Sequence, residues 1–341
     1  MSRGKYFGRI FFVFTMFALL LTGCEEPMSN VLDPQGGAGK EQLALINLSV
    51  YIMVFVCVVV FAIYFYVLIR FKQKPGDNTI PEQVEGNMKL ELLWIVIPII
   101  LLVILAVPTL QTTFSLAEKA PKEQRDDVVK VKVTAHQFWW EFEYPEYGFK
   151  TAQELHIPTG KKVFLELQSD DVVHSFWVPS LAGKTDLVPG RINRMKLDAD
   201  KPGTYKGRCA ELCGASHALM NFQVVAEKPS DFDKWVEKRK KPSSEPQTVA
   251  QKEGKKVFSQ NCMSCHAIDG TNLKVKGDKA PNLTGFGERK KVAGLMENNE
   301  ENLDQWLKDP QSLKPGTYMP GFSHLSKKDM SSLQEYLRSL E

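Results

Sequence analysis

Cys209-Ala-Glu-Leu-Cys213-Gly-Ala-Ser-His217-Ala-Leu-Met220 gathers two thiols, an imidazole and a thioether in one short stretch. Thiolate, thioether and imidazole together favour copper over hard cations, and a one-copper blue site uses one Cys, two His and a weak axial Met. Here a second thiolate, with the carbonyl of Glu211 between the two, suits two copper ions bridged by both sulfurs. The missing imidazole must come from an earlier loop, and His174 in Val-Val-His-Ser-Phe-Trp is the best-placed histidine. A Cys209–Cys213 disulfide or a Cys/His zinc site would use part of this set, but neither accounts for Met220.

A second cluster, Cys262-Met-Ser-Cys265-His266, has the spacing that attaches a c-type haem. The two thiols add to the haem vinyl groups and His266 supplies the proximal nitrogen. A disulfide-exchange pair is the competing reading. It fits poorly, because the histidine follows at once and the surroundings read as helices (Lys252–Gln260, Asn302–Leu307 and Lys327–Leu337) rather than as alternating strands and helices. His/Met ligation raises the potential of cytochromes c. Met319, in Gly316-Thr-Tyr-Met-Pro-Gly321, lies in a Gly/Pro loop able to return a side chain over the haem. Met263 is trapped inside the attachment motif, Met296 and Met330 read as packing or surface residues, and His324 is the competing sixth ligand.

These sites need a scaffold, and the 341-residue chain is long enough for several domains. A net charge of +3 argues against nucleic-acid binding. Cys24 and Cys57 stand alone and the other four form two close pairs, which is ligand and attachment chemistry rather than a disulfide framework. Residues 1–23 combine Arg3, Lys5 and Arg9 with a short apolar run, the layout of a secretory signal. Leu21-Thr-Gly-Cys24 resembles a bacterial lipoprotein processing box, with Cys24 the lipidated first residue of the mature chain. After a polar segment at 24–44, residues 45–69 and 92–114 are expected to span a membrane, since about 20 apolar residues cross its core. Cys57 reads as a small apolar residue inside the first span. Arg70, Lys72, Lys74 and Lys89 mark the 70–91 loop as cytoplasmic. Everything after the second span is then extracytoplasmic.

From Val128 the pattern alternates with period two, and six further strand-like runs follow: Glu154–Ile157, Lys162–Gln168, Val172–Val178, Ile192–Leu197, Thr204–Arg208 and Asn221–Ala226. That predicts an all-β Greek-key sandwich over 115–228. Residues 229–249 read as a linker opening with a short amphipathic stretch, and 250–341 as an all-α haem-binding domain.

Cys-x-Glu-x-Cys-Gly-x-x-His-x-x-Met with an upstream histidine resembles the binuclear copper (CuA) centre of subunit II of haem–copper cytochrome c oxidases. The resemblance implies a multidomain membrane protein: a two-helix transmembrane hairpin, a cupredoxin-like domain and, fused after it, a cytochrome c domain. It implies His174, Cys209, Cys213, His217 and Met220 as side-chain copper ligands and Glu211 as a ligand through its carbonyl. The Glu211 carboxylate would reach a magnesium or similar ion shared with the catalytic subunit. Glu91 opens Glu-Leu-Leu-Trp-Ile-Val-Ile-Pro, which resembles the start of the family's second helix near a proton entrance; a solvated helix-end Glu is the alternative. Asp186 resembles an acidic position near the subunit interface, with a turn-stabilising role equally open.

In His136-Gln-Phe-Trp-Trp-Glu-Phe-Glu-Tyr144 the family's first Trp is replaced by Phe138. Trp139 and Trp140 therefore become the expected residues for electron arrival, with strand packing as the alternative. The implied partners are oxidase subunit I, other oxidase subunits and an upstream donor, either a cytochrome c or a quinol–cytochrome c reductase complex. Two rival readings are the CuA subunit of a nitric oxide reductase and a membrane-anchored electron carrier serving other acceptors.

Overall fold

The computed structural model describes Phe12, Thr15 and residues 29–73, 75–76, 80, 82–117, 128–243, 245–270 and 280–341. Cys24 and the expected leader, apart from Phe12 and Thr15, lie outside the described residues.

Two helices, α1 (Gly37–Arg70) and α2 (Met88–Leu116), pack on each other and are long and apolar enough to cross a membrane. Both outrun the expected spans because their polar ends are held. The N–H of Gly37 donates to Asp198 Oδ2 at 2.7 Å, that of Gly39 donates to the Leu181 carbonyl at 2.9 Å, and Lys40 pairs with Asp200 at 2.6 Å. At the start of α2, Asn87 Oδ1 accepts the N–H of Lys89 at 3.0 Å, an N-cap that satisfies an otherwise orphaned donor. Pro98 and Pro108 both sit within α2.

The β domain is a two-sheet sandwich. Its strands are β1 (Val128–His136), β2 (Trp139–Tyr144), β3 (Phe149–Ala152), β4 (Glu154–Pro158), β5 (Lys162–Ser169), β6 (His174–Trp177), β7 (Thr185–Leu187), β8 (Asn193–Leu197), β9 (Gly203–Cys209) and β10 (Asn221–Glu227). One sheet runs β3-β2-β1-β5-β8 and the other β4-β10-β9-β6-β7. The β1–β5 and β4–β10 pairs are parallel and the rest antiparallel. All-β cupredoxin-like architecture was legible, but β2, β3 and β7 were not among the expected strands. In the run expected at Val172–Val178, only His174–Trp177 is strand, and Val172 and Val173 are exposed. Between the sheets Trp140, Phe142, Phe176 and Phe222 form a buried aromatic core, with the Phe176 and Phe222 rings 4.5 Å apart.

The stretch expected as linker begins with α3 (Pro229–Arg239), which buries Phe232 and Val236 and stacks Trp235 on His156 with centroids 4.2 Å apart. Then come α4 (Val249–Asn261), the two-residue strands β11 (Lys291–Val292) and β12 (Met296–Glu297), α5 (Glu300–Lys308), α6 (Pro310–Leu313) and α7 (Lys327–Arg338). Thr248 and Gln251 form a reciprocal capping box that starts α4. A Cβ at Gly254 would lie 2.0 Å from the Ser332 carbonyl, so only glycine lets α4 and α7 cross this closely. The core of this unit gathers Phe258, Leu303, Leu333 and Tyr336.

Candidate metal centres

The copper-type ligands converge because of strand order. β9 ends on Cys209, β6 begins on His174, and these neighbouring strands bring Phe176 opposite Cys209. The loop from Ala210 to Met220 then returns into β10, with the Cys209 N–H donating to the Met220 carbonyl at 3.0 Å. All six expected donors meet around the two thiols, whose sulfurs are 3.9 Å apart. Cys209 Sγ lies 3.8 Å from His174 Nδ1 and 3.2 Å from the Glu211 carbonyl oxygen. Cys213 Sγ lies 3.7 Å from His217 Nδ1 and 3.8 Å from Met220 Sδ. His174 and Met220 are fully buried.

The local electrostatics favour a cation. Contact with Cys213, and with His174, holds the Cys209 pKa far below that of a free thiol. The same contact, helped by burial, pushes Cys213 up. Two such sulfurs with two imidazoles facing them are a soft donor set that fits copper, and metal binding would displace the remaining thiol proton. Asp171, which the sequence reading passed over, holds His174 Nε2 at 2.8 Å. Burial alone would raise the Asp171 carboxyl pKa, but its bonds to His174 and to the N–H groups of Val172 and Gln137 hold it below the usual value. Gln137 in turn donates from Nε2 to the Cys213 carbonyl at 2.5 Å.

The aromatic run needs a correction. Trp140, expected where electrons arrive, has no surface: it is wholly buried behind the ligands, its ring 6.2 Å from that of His174 and its Nε1 donating to the Met220 carbonyl at 3.4 Å. Trp139 is half-buried and stacks flat on His136 at 4.2 Å. Phe138 is buried as well, but its ring lies beside both Gly214 of the ligand loop and Gly316 of the helical unit.

In that unit α4 delivers Cys262, Cys265 and His266, with the His266 N–H bonded to the Cys262 carbonyl at 3.0 Å. His266 Nδ1 contacts the Pro281 carbonyl at 2.8 Å, which leaves Nε2 free to ligate iron. Burial, with the Arg289 charge nearby, holds His266 below its ordinary pKa and therefore neutral, as a ligand must be. Met319 packs against the same core, whereas His324 is exposed beside Phe322. Met330 is buried packing, as expected. The donor set fits a c-type haem. Glu91 sits in the first turn of α2, the Glu211 side chain is exposed, and Asp186 is exposed on β7 with its carbonyl accepting from Asn193.

Comparison with known proteins bears on the whole chain. The family model for the cytochrome c oxidase subunit II transmembrane domain matches residues 32–112, that for its periplasmic domain residues 148–227, and that for cytochrome c residues 251–341. Proteins named cytochrome c oxidase subunit 2 are similar from end to end. That of Alkalihalophilus pseudofirmus is 49% identical, covering 97% of this chain and 96% of its own. That of Bacillus sp. is 46% identical, covering 100% and 99%, and that of Bacillus subtilis 43% identical, covering 98% of each. The apolar helix pair is thus the membrane anchor of an oxidase component that carries a copper domain and a haem domain. With 43–49% identity over the full length, the chain belongs to the cytochrome c oxidase subunit II family.

Proposed function

We propose that this subunit relays electrons from an upstream donor, through a covalent haem on its own C-terminal unit, to a binuclear copper centre and on to subunit I, where oxygen is reduced with proton pumping. One observation carries this reading: two imidazoles, a thioether and a backbone carbonyl surround the Cys209–Cys213 pair in a chain that also holds a haem-attachment site. Two copper ions held by His174, Cys209, Glu211, Cys213, His217 and Met220, and a haem held by Cys262, Cys265, His266 and Met319, would supply one-electron chemistry without bound oxygen. The chain's own residues do the rest. Cys209 and Cys213 are buried, which keeps water from the thiolates. Asp171 sets the His174 ring so that Nδ1 faces sulfur, and the Pro281 carbonyl engages His266 Nδ1, leaving Nε2 for iron.

The membrane topology follows from charge. Basic residues Arg70, Lys72 and Lys89 flank the interhelical loop, so that loop is cytoplasmic and both redox domains are extracytoplasmic. Cys24 is the proposed lipid attachment point. The exposed Glu211 carboxylate is free to reach a magnesium ion at the subunit I interface, and Glu91, at the cytoplasmic end of α2, to lie at a proton entrance.

The test is electron paramagnetic resonance of the purified complex, together with gas consumption. Hyperfine structure from two equivalent copper nuclei and cyanide-sensitive oxygen uptake are expected. Hyperfine structure from a single nucleus would overturn the binuclear assignment, and nitric oxide reduction without oxygen uptake would move the chain to the reductase reading.

A further inference from the structure

The two ligand loops touch. Ser216 lies between the proposed copper ligands Cys213 and His217 and is fully buried, and its hydroxyl donates to the Pro315 carbonyl at 2.6 Å. Pro315 belongs to the loop that carries Met319. That loop is tied to itself: the Lys314 N–H donates to the Pro310 carbonyl at 2.8 Å, the Thr317 N–H to the Lys314 carbonyl at 3.2 Å, and the Gly316 N–H to Gln311 Oε1 at 3.0 Å. Gly316 adopts φ +81°, and a Cβ there would lie 3.4 Å from the Phe138 ring and 3.5 Å from Ala215 Cβ. The Met319 loop therefore approaches the copper loop closely, with the Phe138 ring packed alongside the contact.

Other contacts hold the same face. Ala293 O accepts from Gln153 Nε2 at 3.0 Å and from the buried Lys314 Nζ at 2.8 Å. Glu154 Oε1 accepts the Lys290 N–H at 2.7 Å. At the rim, Arg239 and Lys238 of α3 pair with Glu288 at 2.8 and 2.5 Å. These rim pairs fasten the domains, but none touches a ligand loop of both centres. Ser216 alone among these contacts does.

We propose that Ser216 is a positioning residue for electron transfer within this subunit: its hydroxyl clamps the copper-ligand loop to the Met319 loop and closes the bonded route between them. From Pro315 the route continues along the backbone to Met319, and from Ser216 across one peptide to His217. Electronic coupling survives a hydrogen bond better than the van der Waals gap beside Phe138, and a bond of this length is a good one. One electron moves, oxidising the haem iron by one unit and reducing the copper pair by one, and the hydroxyl proton stays on Ser216. The inference rests on the electron-relay reading above.

The experiment uses the purified oxidase complex carrying wild-type, Ser216→Ala, Ser216→Thr or Glu288→Ala subunit, with haem-to-copper transfer followed by rapid-reaction absorption. Ser216→Ala is expected to slow transfer by up to about 100-fold, the scale on which a misplacement of about 1 Å acts. The copper resonance spectrum, the methionine–iron charge-transfer band and both midpoint potentials should stay as in wild type. Ser216→Thr, which keeps the hydroxyl, should recover most of the rate, and Glu288→Ala should leave it near wild type. An unchanged rate in Ser216→Ala with intact spectra overturns the proposal. So does an altered copper spectrum, which would make Ser216 a support of the metal loop only. Absence of either spectral signature from the wild-type complex would instead sink the relay reading.

Discussion

Asp171 Oδ1 lies 2.8 Å from Nε2 of His174, and this bond decides which imidazole nitrogen faces the thiols. With Nε2 engaged, Nδ1 is left 3.8 Å from Cys209 Sγ. Outer groups that orient a metal-binding histidine typically contribute about 10–100-fold in affinity. Asp171→Ala should therefore weaken copper retention by about that factor and shift the copper resonance spectrum. Dialysis of the complex against a graded copper chelator measures the first effect. Retention equal to wild type would leave Asp171 with a packing role alone.

Met319 and His324 compete for the sixth haem position, and their surroundings separate them. Met319 packs into the apolar core of the helical unit, while His324 is exposed. In Met319→Ala the methionine–iron band should vanish while the haem stays covalently attached through Cys262 and Cys265. His324→Ala should leave the band intact. A band that persists in Met319→Ala removes the assignment.

His156 makes the domain contact sensitive to pH. Its ring lies between Glu227 at 3.2 Å and Glu154 at 3.8 Å, and the same Glu154 binds the Lys290 N–H of the haem unit. Tyr144 bonds the His156 backbone, Trp235 covers the ring, and the Arg239 and Arg289 charges act on this cluster. Burial by itself would lower the His156 pKa, but the bonds to Glu154 and Glu227 outweigh it and raise the value. A raised histidine contributes stability that is complete below its unfolded pKa of about 6.5 and is lost as pH rises through its folded pKa. Amide exchange at Lys290, corrected for the intrinsic rate, should accelerate on the alkaline side of that window. His156→Gln should flatten this dependence.

Lys314 has the opposite sign. Burial pushes its pKa down to about 7. Between that value and its unfolded pKa of about 10.4, the unfolded chain binds more protons, so this residue makes stability rise with pH. Lys314→Met should remove that rise in thermal unfolding of the complex. It should also release the Ala293 carbonyl from one of its two donors. An unaltered pH profile would show that the ammonium stays charged in the fold.

Both metal clusters were legible because their ligands lie close in sequence: Cys209 to Met220 share one loop, and Cys262 to His266 share one helix end. His174, 35 residues before Cys209, was picked out only because the loop lacked an imidazole and this was the best-placed upstream histidine. Asp171 had no such signal, since an acidic residue in a turn is ordinary. Short strands such as β3 and β7 escaped because three or four residues do not establish a period. The docking of the haem unit was unreadable for a different reason. Ser216 meets Pro315 99 residues away and Gln153 meets Ala293 140 residues away, through single hydrogen bonds that any loop could make. Trp140 was misplaced because an alternating aromatic strand looks the same whichever face is buried.

Phe138, for which no entry role was expected, lies where the two loops meet, whereas Trp140 is wholly buried, and mutation should separate what each does. Phe138 is only 4% exposed, yet it stands between Gly214 of the copper loop and Gly316 of the haem unit. Phe138→Ala opens a gap where the two loops meet and, as a large-to-small change at a buried site, should cost about 3–5 kcal/mol of stability. It should also slow haem-to-copper transfer while sparing the copper spectrum. Trp140→Phe keeps the aromatic core but removes the Nε1 bond to the Met220 carbonyl, a loss of about 1 kcal/mol. Because Met220 is a copper-ligand candidate, that change should move the copper midpoint potential and spectrum. Transfer from the haem should then change only as far as the altered driving force requires. The decisive result is the split between the two variants. If Trp140→Phe slows transfer at an unchanged potential while Phe138→Ala does not, the route runs through the buried indole and the position of Phe138 at the interface is incidental.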